Sequence, residues 1–249
     1  MKIAFINFCP TIQIYNDKNK QNNSDKDYSS RIIVNKLKEN LIQNEHIINE
    51  INVHEMTINA CLGCTEDVLF QPKPYCDQDD DMNAVYPILR ESDIWVFAVK
   101  QNHSNIPEHF HNFLDRLEPL FNEFSENAEN DLLNLSFTEQ GRVFLMAFSE
   151  HFGKEVFNEL SYQIQSAAFL FRRSYYGEFL RPHLSFFIDK YLKDNDFSSE
   201  VDKQINKLAQ DLLTHNSDTN GYLDSLSQAV VSRQEYEFFL SDTLSKIIH

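Results

Sequence analysis

The sequence predicts an α/β domain built on a doubly wound parallel sheet, and two observations carry that prediction. Lys2–Phe8, Asp93–Lys100 and Arg142–Phe148 are short, nearly unbroken apolar runs, the pattern of strands buried on both faces. Between them apolar residues recur at three- and four-residue steps, as on helices with one inward stripe. Strands alternating with helices imply a parallel sheet. Four or five strands fit within residues 1–190, and residues 191–249 read as a helical C-terminal extension.

The elements follow in order. After Lys2–Phe8, the stretch from Cys9 to Asp27 is polar and reads as a long loop. Ser29 or Ser30 is then a candidate N-cap for a helix with Ile32, Ile33, Leu37 and Leu41 as its stripe. His46–His54 alternates in part, as a second strand does. Asp79–Asp81 places negative charge at a helix start, and Met82, Val85, Ile88 and Leu89 form that helix's stripe. Pro87 within it implies a short or kinked helix. Asp93–Lys100 is the clearest buried strand. Pro107 fits the first position of the next helix, whose stripe is Phe110, Phe113, Leu114 and Leu117. Residues 122–137 are acidic and irregular, a connection or lid. Arg142–Phe148 is the fourth strand, and Gly153 precedes a helix to about Phe171. Arg172–Phe179 is a fifth strand or a crossing segment, and from Pro182 onward the pattern is helical. Val201, Ile205, Leu208 and Leu212 give the tail an amphipathic packing or dimer face.

A formal net charge of −16 argues against nucleic acid and against an anionic membrane surface. An anionic cofactor is still compatible, because a few backbone amides at a helix N-terminus can hold phosphate inside an acidic protein. No stretch has the pattern of a signal peptide or the roughly 20 apolar residues of a spanning helix. The expectation is a soluble cytoplasmic protein with reduced thiols.

In such sheets ligands bind at the carboxyl ends of the strands, near the point where the strand order reverses. Those ends are the loops after Phe8, His54, Lys100 and Phe148, and the distinctive residues cluster there. Cys61-Leu62-Gly63-Cys64, Cys76, Asp80-Asp81-Met82, Ser92-Asp93-Ile94-Trp95-Val96-Phe97 and Phe113-Leu114-Asp115-Arg116 stand in succession. In order and spacing they resemble the NADPH-dependent FMN reductases and the related iron–sulfur flavoproteins, whose fold is flavodoxin-like. The resemblance covers the architecture of residues 1–177, with good motif identity over residues 58–116.

It implies an FMN-binding, NAD(P)H-dependent oxidoreductase that passes a hydride to flavin and on to a small-molecule acceptor such as a quinone, and a homodimer. Carried over by position, Cys9, Pro10, Thr11, Ser29 and Ser30 are the candidates around the flavin phosphate. Lys100, Gln101, Asn102 and His103 are the candidates near the ring, and Ser149 borders the same pocket. Two departures support an alternative, a protein of this fold that has lost flavin and acts by binding partners. The loop after Cys9-Pro10-Thr11 has no glycine to let backbone amides approach a phosphate, and Val99-Lys100-Gln101-Asn102-His103 lacks the aromatic residue the family places against the ring.

With Asp67 where the family's iron–sulfur members have a third closely spaced Cys, Cys61, Cys64 and Cys76 provide three thiolates, short of a four-thiolate cluster. They fit a zinc site completed by a His or Asp, a redox dithiol at Cys61/Cys64, or a packing role. His109 and His111 lie about 200° apart on a helix and cannot simply share a metal. Asp115-Arg116 reads as a structural pair, and Glu150 would repel an anionic cofactor if it pointed inward.

Overall fold

The computed structural model describes residues 1–9, 25–43, 46–64, 75–101, 105–120, 141–214 and 220–248. Its centre is a five-stranded sheet in the order β2-β1-β3-β4-β5. The strands are β1 (Lys2–Phe8), β2 (Ile47–Asn52), β3 (Ile94–Lys100), β4 (Arg142–Phe148) and β5 (Ser174–Arg181), all parallel. This is the flavodoxin-like, doubly wound order. Every residue of β3 and β4 is buried, which is why their sequences are apolar without alternation.

Side chains alternate between two cores. Ala4, Ile6 and Phe8 of β1, with Trp95, Phe97 and Val99 of β3, point to one face. That face is covered by α2 (Met82–Glu91), α3 (Glu108–Asp115) and α4 (Asn158–Leu170). Ile3, Phe5 and Cys9 point to the other, with Ile94, Val96 and Ala98. Here the cover is α1 (Asp25–Gln43), α5 (Leu184–Lys193), α6 (Asn195–Thr214) and α7 (Asn220–Ser227). Val201, Ile205, Leu208 and Leu212 of α6 are buried in this core, so the amphipathic face read from the tail packs inward, against α1 and α5. The last helix is α8 (Arg233–Ile248).

Three boundaries differ from the sequence reading. α1 starts at Asp25, so residues 25–27 are helical and Ser29 and Ser30 lie in its second turn rather than capping it. Pro107 is the residue before α3, with φ −57°, one position earlier than expected. A single turn of 3₁₀ helix, Lys154–Phe157, precedes α4. The fifth strand forms, with an irregular register between Val143 and Phe144 that leaves Tyr176 unmatched. Residues 122–137 lie outside the described residues.

The motif run is bonded to itself. Arg116 and Asp80 form a two-pronged ion pair, Nη1–Oδ2 2.7 Å and Nη2–Oδ1 2.9 Å, with both side chains only 1% exposed. Arg116 also donates to the Asn59 carbonyl, and Asp80 accepts from the amides of Asn59 and Met82. Asp81 accepts from the Thr57 amide at 2.7 Å, and Tyr86 donates to the Arg116 carbonyl. The Asp-Asp-Met and Asp-Arg motifs thus tie α2 and α3 to the chain entering the Cys61–Cys64 loop. The partner of Arg116 is Asp80, not its neighbour Asp115.

Candidate functional site

The strand order reverses between β1 and β3, and the carboxyl ends of β1, β3 and β4 form the crevice edge. Parallel pairing brings Phe8 beside Val99 and Lys100 beside Phe148. The ladder continues one step further, with the Gln101 amide donating to the Phe148 carbonyl at 2.8 Å.

Cys9, Ser29, Ser30, Lys100, Gln101 and Ser149 are all buried at or next to this edge. Burial pushes the Cys9 thiol up to about 11, offset only in part by the Ser30 hydroxyl beside it and by the Lys100 charge. The Cys9 amide is already taken, donating to Asn7 Oδ1 at 2.9 Å. Ser30 Oγ faces this thiol without a well-formed hydrogen bond. The Ser149 hydroxyl accepts from the His151 amide, and its main chain bonds to Arg181 and Leu184, so this residue is fixed within its own turn. Gln101 is 1% exposed, and among the described residues neither Nε2 nor Oε1 has a hydrogen-bond partner. Pro10, Thr11, Asn102 and His103 lie outside the described residues.

Glu150 does not point into the crevice. Its carboxylate accepts from the Ser185 amide and hydroxyl at the start of α5, at 3.0 and 2.9 Å, where a helix N-terminus favours negative charge.

The sequence reading missed two features of this edge. His54, just after β2, and His109, on α3, both reach it, and the His109 ring is stacked over Phe8 at 6.4 Å. Burial lowers the His54 pKa; Glu55, 3.8 Å away, opposes this, and Arg31 and His109 add to the fall. Burial also lowers His109, against Glu108. Their separation in sequence, 55 positions, left no local pattern to find.

The second is the last turn of α7 together with the segment after it, which cover the carboxyl ends of β4 and β5. Arg181 donates to the carbonyls of Leu226 and Gln228, and Leu180 N–H to Ser227 Oγ. Tyr236 donates to the Glu150 carbonyl, and the Val230 amide to His183 Nε2. His183, in the left-handed region at φ +42°, is packed between Phe152 and Tyr236 with ring centroids 5.6 Å from each. Burial lowers the Arg181 pKa to about 9; burial, with the nearby Arg181 charge, lowers His183 to about 4.

Among the described residues no three His, Cys, Asp or Glu side chains gather into a metal-binding group. Cys61 and Cys76 are half-buried and Cys64 is exposed, and these thiols are not brought together as ligands. No described helix is long and apolar enough to cross a membrane. Two open apolar grooves lie elsewhere, of about 560 Å³ around Phe186 and Phe238 and about 540 Å³ around Leu114 and Tyr162. Neither is lined by the crevice residues.

No protein-family model and no curated protein matches the chain. Solved structures do. The azoreductase AzrA superposes with a TM-score of 0.54 at 12% identity, over 84% of this chain and 99% of that one. An FMN-dependent NADH-azoreductase from Bacillus anthracis, solved with FMN, gives 0.54 at 12% over 85% and 99%. Smu.1420 from Streptococcus mutans gives 0.51 at 12% over 85% and 100%. At these identities the likeness establishes the fold.

Proposed function

We propose that this chain is an FMN-binding, NAD(P)H-dependent oxidoreductase of the flavin or quinone reductase type. The observation that carries the reading is the set of polar side chains, Ser30, Lys100 and Gln101, buried at the switch point where this fold receives its ligands. Burying polar groups is costly unless they are bonded, and two of the three offer atoms without partners among the described residues. Fold likeness to a structure described as holding FMN adds to it.

The donor set fits the flavin in part. Gln101 and Lys100, with Asn102 and His103, would hold the ring edge. Ser29, Ser30 and the residues Cys9, Pro10 and Thr11 would lie beside the phosphate, without the Cys9 amide, which Asn7 occupies. FMN, when bound, supplies hydride acceptance from NAD(P)H and delivery to an acceptor. The protein's part is to orient the ring, and the buried crevice walls keep water away. A homodimer and a small-molecule acceptor complete the reading; sizing by light scattering tests the dimer.

The occupied Cys9 amide and the glycine-free first loop favour a second reading, a partner-binding protein of the same fold without flavin. The absorption spectrum of the purified protein, before and after FMN and with mass spectrometry of released material, separates the two. Bound flavin or saturable micromolar binding is expected. A colourless protein indifferent to FMN refutes the oxidoreductase reading.

A further inference from the structure

We propose that the outward face of α8, with Phe186 of α5, is a docking groove for a basic amphipathic helix of another protein. The partner lays an apolar stripe over Phe238 and Phe239 and sets a Lys or Arg beside each of Glu235 and Asp242.

The two sides of α8 are used differently. On the inner side Tyr236 is 3% exposed and donates to the Glu150 carbonyl, which fixes the helix to the loop after β4. The start of α8 is capped. The Ser232 amide and hydroxyl both donate to Glu235 Oε2, at 3.0 and 2.6 Å, and the Glu235 amide donates back to Ser232 Oγ, the reciprocal pattern of a capping box. The outer side is therefore presented by a helix already held in place. There Phe238 is 76% exposed, at an open groove of about 560 Å³ that Phe186, Val231 and Phe239 also line. The Phe186 and Phe239 rings meet edge to face at 5.2 Å and give the groove an aromatic floor. Exposed aromatic surface rimmed by polar groups marks an interaction site.

Charge selects the occupant. Among the described residues lining the groove, the charged ones are Glu235 and Asp242, both negative. They stand seven positions apart on one helix, about two turns or about 10 Å, with the aromatic side chains between them. Hydrogen bonds from the Ser232 hydroxyl and amide hold the Glu235 carboxyl below its usual range, so it stays anionic at neutral pH. A second copy is disfavoured, because a two-fold contact lays a patch on itself, here carboxylate against carboxylate on a chain of net charge −16. An anionic membrane surface is repelled for the same reason. A helix whose cations are spaced to match satisfies both features, and helices enter such grooves through apolar residues at three- and four-residue steps. Docking here does not depend on flavin in the crevice.

The test uses the full chain and a fluorescein-labelled helical peptide of about five turns, with leucines along one face and lysines flanking them at seven-residue steps. Anisotropy should show saturable micromolar binding. Phe238→Ser changes no charge at an already exposed position, and should weaken binding about tenfold or more while leaving the urea midpoint unchanged. Asp242→Asn should weaken it up to about fivefold and flatten its dependence on salt. A peptide with the same leucines and glutamates for lysines should not bind. A wild-type chain that ignores the lysine peptide overturns the proposal. So does equal binding by wild type and Phe238→Ser, which would mean that net charge alone draws the peptide. A dimer in light scattering that Phe238→Ser dissolves also overturns it, by making a second copy the occupant.

Discussion

Removing the carboxylate of Asp80 should unfold the molecule more readily than any other single change in its motif run. Asp80→Ala leaves the Arg116 guanidinium, 1% exposed, with the Asn59 carbonyl and no counter-charge. The amides of Asn59 and Met82 lose their acceptor at the same time. Breaking a buried ion pair from one side costs about 3–5 kcal/mol. At about 2–4 °C per kcal/mol for a chain of this size, the melting temperature falls by about 6–20 °C. The single tryptophan, Trp95, is buried in β3 against Phe171, so urea unfolding can be followed by its fluorescence. Asp80→Leu combined with Arg116→Met should recover much of the loss, since a well-packed apolar pair replaces a buried ionic one at little cost. Acid sharpens the test. Burial alone would raise the Asp80 carboxyl, but Arg116 and the Asn59 and Met82 amides outweigh it and hold it below the usual range. Its contribution is therefore complete above an ordinary aspartate value of about 4 and is lost as pH falls through the lower folded-state value. If Asp80→Ala stays within about 0.5 kcal/mol of wild type, the size of an ordinary surface change, the pair is not what holds α2, α3 and the entry to the Cys61–Cys64 loop together.

Three further outcomes are expected. His183 titrates near 4 when folded and near 6.5 when unfolded, so stability should drop as pH falls from 6.5 to 4, by about 3 kcal/mol. His183→Asn, which tolerates the left-handed backbone, should flatten that melting curve against pH, and an unchanged slope would refute the assignment. Gly141→Ala should cost about 2–5 kcal/mol in denaturant titrations, because at φ +130° its Cβ would sit 2.3 Å from the Asp93 carbonyl oxygen; a neutral substitution would contradict this backbone. Iodoacetamide at pH 8 should modify the exposed Cys64 first and Cys9 only after unfolding, as read by peptide mass spectrometry, given a buried Cys9 thiol near 11.

The central strands were legible because burial on both faces leaves an unbroken apolar run, as in Asp93–Lys100. The start of α1 was not, because Asp25–Asp27 is as polar as the loop before it, and serine fits a second helical turn as well as a cap. Lys100, Gln101 and Ser149, candidates carried over by position, are buried at the strand ends, but their bonding states were not readable. Ser149 spends its hydroxyl on its own turn, two positions away at His151, and Gln101 has no side-chain partner among the described residues; an apolar pattern carries neither fact. Separations of 36 to 86 positions hid the Arg116–Asp80 pair within motifs that were themselves visible, and the crossing of residues 226–236 over β4 and β5.

That crossing also sets an order of events during synthesis. The sheet's edge strand is complete once Arg181 has been made, and Arg181 Nε has the adjacent Pro182 carbonyl at once, yet its two Nη groups reach their acceptors only at Leu226 and Gln228. His183 is enclosed only when Tyr236 arrives. While the ribosome is adding the intervening residues, and holding the newest ones in its exit tunnel, β5 carries a charged end that has no place to go but water. Closure of the second core, whose last buried member is Leu226, therefore waits until translation has passed α7, and the cover over His183 is added last, with Tyr236.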